Sequence, residues 1–207
     1  MRFRRNKAYH KQFNGTTMDN IFRLPAISLL SAILLSWTQN SAAQNISVKT
    51  NALLLGALTP NLGCELVTGE KTSFQLVLAG HKNPYGFTSE IFCVKPEFRY
   101  WFGGRPMVRE FIGVQAILAT YDMTFKNQVF DGDAIGAGLT WGYAFPLAER
   151  WNLELSCGIG VAYYHQKKYF SGDNYDDYFI DGSPQANSLG WKLIPTELGI
   201  TFTYIIK

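Results

Sequence analysis

The sequence predicts an all-β chain, an eight-stranded antiparallel up-and-down transmembrane β-barrel preceded by a cleaved signal peptide. Three observations lead there. Apolar residues alternate with small or polar ones over long stretches. Those stretches number eight, and most of their joins alternate between short and long. An apolar leader stands at the N-terminus, and no later apolar run reaches the ~18 residues of a membrane helix.

Residues 1–43 read as the leader. Arg23 precedes an apolar stretch from Leu24 to Trp37, and Ser41-Ala42-Ala43 supplies the small residues of a cleavage site before Gln44. Residues 1–17 are a long basic lead-in, so Met18 is an alternative start to Met1. No cysteine follows the apolar stretch closely, so no lipidated N-terminus is expected. Six cations and Asp19 give the leader a net +5; set against +3 for the whole chain, residues 44–207 carry −2. No basic patch remains to attract nucleic acid. Residues 44–207 suit one domain. Cys64, Cys93 and Cys157 are odd in number and widely spaced, which points to neither a disulfide framework nor a metal site. No cofactor is expected.

The strands follow in order. Segments 46–57, 61–68 and 72–81 read as the first three. In 90–102, Phe92, Val94, Phe98, Tyr100 and Phe102 oppose Cys93, Lys95, Glu97 and Arg99. Pro96 is the weak point there, because proline donates nothing to a ladder. Segment 110–121 is the fifth. In 135–145, Ile135, Ala137, Leu139, Trp141, Tyr143 and Phe145 oppose Gly136, Gly138, Thr140, Gly142 and Ala144. In 151–163 an apolar row from Trp151 to Tyr163 opposes Asn152, Glu154, Ser156, Gly158, Gly160 and Ala162. In 198–206, Leu198, Ile200, Phe202, Tyr204 and Ile206 oppose Glu197, Gly199, Thr201 and Thr203. Such rows match a wall with lipid outside and a polar lumen inside.

Joins at 68–71, 103–109 and 146–149 are short; those at 81–89, 122–133 and 165–188 are longer. Short periplasmic turns, long outer loops and periplasmic termini are therefore expected. The first join, at Thr59-Pro60, breaks the trend. Two aromatic belts are expected at the rims. Tyr100, Trp101, Phe102, Tyr143, Phe145, Trp151 and Tyr204 would form the periplasmic one. Tyr85, Phe87, Tyr121, Tyr163, Tyr164 and Trp191 would form the outer one.

Four motifs carry a family resemblance: Lys49-Thr50-Asn51-Ala52-Leu53-Leu54; Thr59-Pro60-Asn61-Leu62-Gly63 with Glu65; Pro96-Glu97-Phe98-Arg99-Tyr100-Trp101; and Arg150-Trp151-Asn152-Leu153-Glu154. They resemble an uncharacterised outer-membrane barrel family of Bacteroidota, domain of unknown function 3575. The resemblance implies a small barrel of the OmpA and OmpX type and no assigned activity. The chain's end, Gly199, Phe202 and Tyr204 after Glu197, also looks like a barrel-assembly signal, with three residues following it.

Parity points Lys49, Glu65, Lys95, Glu97, Arg99, Glu154 and Glu197 inward. In a lumen only wide enough for side chains they are expected to pair as a plug; an ion path or proton relay is the alternative. The last long loop offers Tyr169, Phe170, Asp173, Tyr175, Asp176, Asp177, Tyr178 and Phe179 as contact residues for a partner. Its acids lack the EF-hand order, so no metal site is expected. His81 and His165 lie on the outer side, with Ser89, Ser171 and Asp173 as conceivable partners in catalysis.

The expected function is a non-enzymatic integral outer-membrane barrel with a structural or surface-interaction role. Its expected partners are outer-membrane lipid, the barrel-assembly machinery during insertion, and an extracellular or envelope protein. The alternatives are a lipid-modifying barrel enzyme and an exported soluble barrel for a small apolar ligand.

Overall fold

A computed structural model describes residues 45–170, 179–180, 183–184 and 188–206. The leader, with its cleavage site and the choice of start, lies outside them. The main strands are β1 (Ile46–Asn51), β2 (Asn61–Val67), β3 (Thr72–Lys82), β4 (Ser89–Trp101), β5 (Arg109–Phe125), β6 (Gln128–Pro146) and β7 (Trp151–Phe170). Phe179–Ile180 (β8) and Ser183–Pro184 (β9) pair with each other, and β10 (Ser188–Ile205) follows. A helix, α1 (Ala52–Gly56), stands after β1.

Alternation becomes burial along these strands. On β7, Asn152, Glu154, Ser156, Gly160 and Ala162 are buried, while Trp151, Leu155, Cys157, Ile159 and Val161 are exposed. The eight main strands pair antiparallel into one closed barrel, in the order β1-β10-β7-β6-β5-β4-β3-β2.

The register fixes the tilt. One circuit runs Ile205, Ser47, Glu65, Gln75, Glu97, Gln115, Gly138, Gly160 and back to β10 at Ile194. The circuit therefore ends eleven residues from its start, and one of those residues is the bulged Thr196. A stagger of ten over eight strands, with ~3.3 Å rise and ~4.8 Å spacing, tilts the strands by about 40°.

Four expectations need correction. First, 46–57 is not one strand. It breaks at Asn51, whose side chain accepts from Leu53 N at 3.0 Å and caps α1. Ala-Leu-Leu-Leu has no β-branched residue and takes the helix readily. Second, 122–133 is no long loop. β5 and β6 pair as far as Phe125 and Gln128, and Lys126 and Asn127 turn the chain with φ of 49° and 65°, the left-handed pair of a two-residue hairpin. Third, three aromatics leave the belts. Trp101 is inward and fully buried, Tyr164 packs over Gly190, and Tyr121 donates to Gln166 Oε1 at 2.8 Å. Fourth, the long join expected from 165 begins later, because β7 runs on to Phe170; the last strand starts at Ser188, where that join is expected to end. Pro96 does interrupt a ladder: β4 and β5 pair at Val94↔Leu118 and next at Glu97↔Gln115.

β10 pairs with β1 only over Thr201–Ile205. Among the described residues its other half pairs with β7 alone. That edge carries two devices that discourage strand addition, Pro195 and the bulge at Thr196. Asn51 Nδ2 donates to Leu198 O at 3.1 Å, and α1 packs against the same strand. The helix thus covers wall that β1 leaves open.

A buried ion-pair cluster as the candidate functional site

Five strands deliver the charged residues inward. β1 supplies Lys49, β2 Glu65, β4 Lys95, Glu97 and Arg99, β7 Glu154, and β10 Glu197. The strands β3 and β5 add neutral polar partners to the same interior.

The lower group centres on Arg99. Its Nη1 lies 2.8 Å from Glu154 Oε1 and 3.7 Å from Glu65 Oε2, and its Nη2 lies 2.9 Å from Glu97 Oε2. The guanidinium stacks over Phe111, 4.3 Å from the ring centre, a cation–π contact between two buried side chains. Lys49 Nζ bridges Glu65 and Glu154, at 2.6 Å from the latter. All five side chains are at least 96% buried. Lys95 and Glu197 form a separate pair that is somewhat more exposed. All seven residues thus engage in ion pairs, in two groups rather than one.

Neutral groups extend the network. Ser73 Oγ donates to Glu65 and receives Trp101 Nε1 at 2.8 Å. Gln75 Nε2 donates to Glu97 at 3.3 Å. Gln115 Nε2 donates to Thr140 Oγ1 at 2.7 Å and to Thr196 Oγ1 at 2.8 Å. Parity makes Ser73, Gln75 and Gln115 legible as inward residues. Thr196 is not legible that way, because the bulge turns both Thr196 and Glu197 inward.

Trp101, Phe111, Met107 and Ala144 underlie the cluster, each at most 2% exposed. The rings of Trp101 and Phe111 sit 4.8 Å apart. Asn152 Nδ2 ties this floor to Met107 O at 2.6 Å. The space beside the charges is about 20 Å³, room for about one water molecule. Charge pairing therefore fills most of the space around these side chains.

The glycines opposite are filled in the same way. A Cβ on Gly138 or Gly158 would meet Thr196 Oγ1 at 2.9 Å, and one on Gly142 would meet the Phe111 ring at 2.5 Å.

The remaining expected residues scatter. Gly199 packs inside against Ser156, while Phe202 and Tyr204 face outward, Tyr204 5.0 Å from Trp151. Tyr169 and Phe170 end β7. Asp173, Tyr175, Asp176, Asp177 and Tyr178 lie outside the described residues, and Phe179 opens the small β8–β9 ribbon. Cys64, Cys93 and Cys157 are free thiols. Among the described residues, no group of three His, Cys, Asp or Glu side chains is arranged to hold a metal.

Residues 28–206 match a family described as "Protein of unknown function (DUF3575)". No curated protein matches, and no solved structure does. The match spans the whole closed barrel, including every residue of the cluster, and on it the chain belongs to the DUF3575 family of proteins of unknown function.

Proposed function

We propose that the chain is an integral outer-membrane barrel without catalytic activity. Its lumen is closed at the base by the charged cluster. It serves the envelope structurally, or by presenting its tall outer hairpins to an extracellular or envelope partner. Lipid surrounds the wall, and insertion by the barrel-assembly machinery fits the terminal Gly199, Phe202 and Tyr204.

Inverted polarity carries this reading. Val114, Trp141 and Leu198 are 60%, 63% and 69% exposed, whereas Lys49, Glu65 and Arg99 are 3%, 0% and 1% exposed. A fold made for water buries the first set and exposes the second. The height of the wall agrees. On β5 the outward Glu110 and Thr120 bracket Ile112, Val114, Ala116 and Leu118. Ten residues tilted by about 40° rise about 25 Å, the height of the apolar band on outer-membrane barrels. Thr72 and Lys82 bracket an equal span on β3. Aromatic pairs mark the two ends: Tyr143–Phe145 at 4.4 Å and Trp151–Tyr204 at 5.0 Å near the termini, and Tyr163–Trp191 at 5.1 Å opposite.

Two measurements test it. The protein is expected to stay in carbonate-washed membranes and to migrate anomalously on gels until boiled; extraction by carbonate would sink the membrane assignment. In planar bilayers no steady single-channel current is expected, because on this reading the cluster closes the base of the lumen. Reproducible unitary currents would remove the plug.

One observation favours a second reading, a lipid-modifying enzyme. At the outer end His81 Nε2 lies 3.2 Å from Ser89 Oγ, and its Nδ1 lies 2.9 Å from Thr59 Oγ1. A base between a hydroxyl and an orienting group is the arrangement of an activated nucleophile. His165 instead faces the outer wall. His81→Ala and Ser89→Ala are expected to leave envelope lipid composition unchanged. The same altered acyl pattern in both variants would make the enzyme the better reading. A soluble ligand-binding barrel needs its apolar rows inside, and here they lie outside.

A further inference from the structure

The outer wall is uneven on one flank. At one level, adjacent strands β4 to β7 present Val94, Leu118, Ile135 and Tyr163. One step toward the outer end they present Phe92, Thr120, Asp133 and His165. In that upper row the short Thr120 and Asp133 stand between two rings. The result is a groove of about 440 Å³ with apolar walls, bordered on its outer side by Thr120, Asp133 and His165. That size suits one small ligand or one chain of a larger one.

That border has a definite chemistry. Asp133 and His165 are exposed, and neither makes a hydrogen bond or ion pair among the described residues. The next row up holds Glu90, Asp122, Asp131 and Lys167. Of these, Lys167 stands opposite Asp131, and Glu90 pairs with Lys82 at 2.9 Å. Acids therefore outnumber cations around the groove's mouth, and Asp133 is the acid closest to the apolar walls. A carboxylate at the edge of a hydrocarbon layer is costly unless a cation meets it.

We propose that this groove binds one lipid whose head carries an amine. An acyl chain lies along Leu118 and Ile135, between Phe92 and Tyr163. The ammonium sits on Asp133, and Thr120 and His165 hydrogen-bond the same head. An anionic head without an amine meets the acidic row and is disfavoured. The inference rests on the membrane reading given above.

Native mass spectrometry of the detergent-solubilised full chain tests it, with phosphatidylethanolamine or phosphatidylglycerol of matched chains as probes. One phosphatidylethanolamine is expected to remain bound, at least five-fold more abundantly than phosphatidylglycerol. Asp133→Asn should abolish the preference. Leu118→Trp should fill the groove and displace either lipid, while Leu139→Trp, elsewhere on the wall, should change nothing. A heat-shift gel on each variant reports folding. Equal retention of both lipids, or a preference that survives Asp133→Asn, overturns the groove. If the wild-type chain fails to stay in carbonate-washed membranes, the membrane reading falls with it, whereas indifferent lipid binding by a membrane-retained barrel overturns the groove alone.

Discussion

Replacing Arg99 by methionine should destabilise the folded barrel by about 3–5 kcal/mol, the usual cost of stripping one partner from a buried ion pair. Methionine keeps most of the stem's volume over Phe111, so lost packing contributes little. The loss is electrostatic. Arg99 reaches Glu154, Glu97 and Glu65, and without it Lys49 alone faces three carboxyl groups. Lysine at 99 is expected to recover only part of the loss, because one ammonium cannot reproduce the two-sided guanidinium fork. The triple variant Arg99→Met, Glu97→Gln, Glu154→Gln should recover most of it, since neutral groups carry no desolvation penalty on that scale. Urea unfolding in lipid vesicles, followed by tryptophan fluorescence, gives the numbers. A loss under about 1 kcal/mol for Arg99→Met would mean that water reaches the cluster and that it is no plug.

The seven charged residues of that cluster could be placed inside from parity alone, because each lies in a segment whose alternate positions are apolar. The strand at 151–163 is the clearest case. Its small and polar face is the buried one almost throughout. Legibility failed where the apolar signal stops but the backbone ladder continues. Above Leu118 and Ile135 the outward row turns to Thr120, Asp122, Asp131 and Asp133 while Tyr121, Met123 and Phe130 fall on the inward face, so the apolar-out alternation inverts and the segment no longer reads as part of the wall. The turn at Lys126-Asn127 lacks the glycine that marks most two-residue hairpins, although asparagine tolerates the left-handed region.

Two further misses have local causes. The bulge at Thr196 shifts the parity of β10 by one. Trp191, Leu193 and Pro195 therefore share the outer face with Leu198, and no two-residue rule joins them to it. The assignment of Trp101 to a belt followed residue type over parity. Its neighbours Tyr100 and Phe102 face outward, so the strand can only send Trp101 inward, where it becomes the floor of the cluster. The ion pairs themselves were not legible. Which carboxylate meets which cation depends on a stagger of ten around the ring, and that stagger depends in part on one bulged residue.

Adding one methyl group at three different glycines should give three different results, and the order separates space held for a ligand from space already taken. Gly56, at the end of α1, has no atom within 4 Å of the place an alanine methyl would occupy, and Gly56→Ala should be neutral or slightly stabilising through helix propensity. At Gly113 the nearest atoms are the carboxyl end of Glu97. That end can swing, so Gly113→Ala should cost about 1–3 kcal/mol by pulling Glu97 from Arg99 and Gln75. At Gly160 the methyl would press on the backbone of Ala137 and come within 2.6 Å of Gly138 Cα and 2.8 Å of Thr196 Cγ2. The backbone atoms belong to the paired β6 strand and cannot move without parting the β6–β7 ladder. Gly160→Ala should therefore cost more than about 3 kcal/mol, beyond ordinary overpacking, or prevent closure outright. The heat-modifiable band and the urea midpoint rank the three. If Gly160→Ala instead matches the wild type, the interior beside β7 has real room, and a ligand in the lumen becomes the reading to pursue.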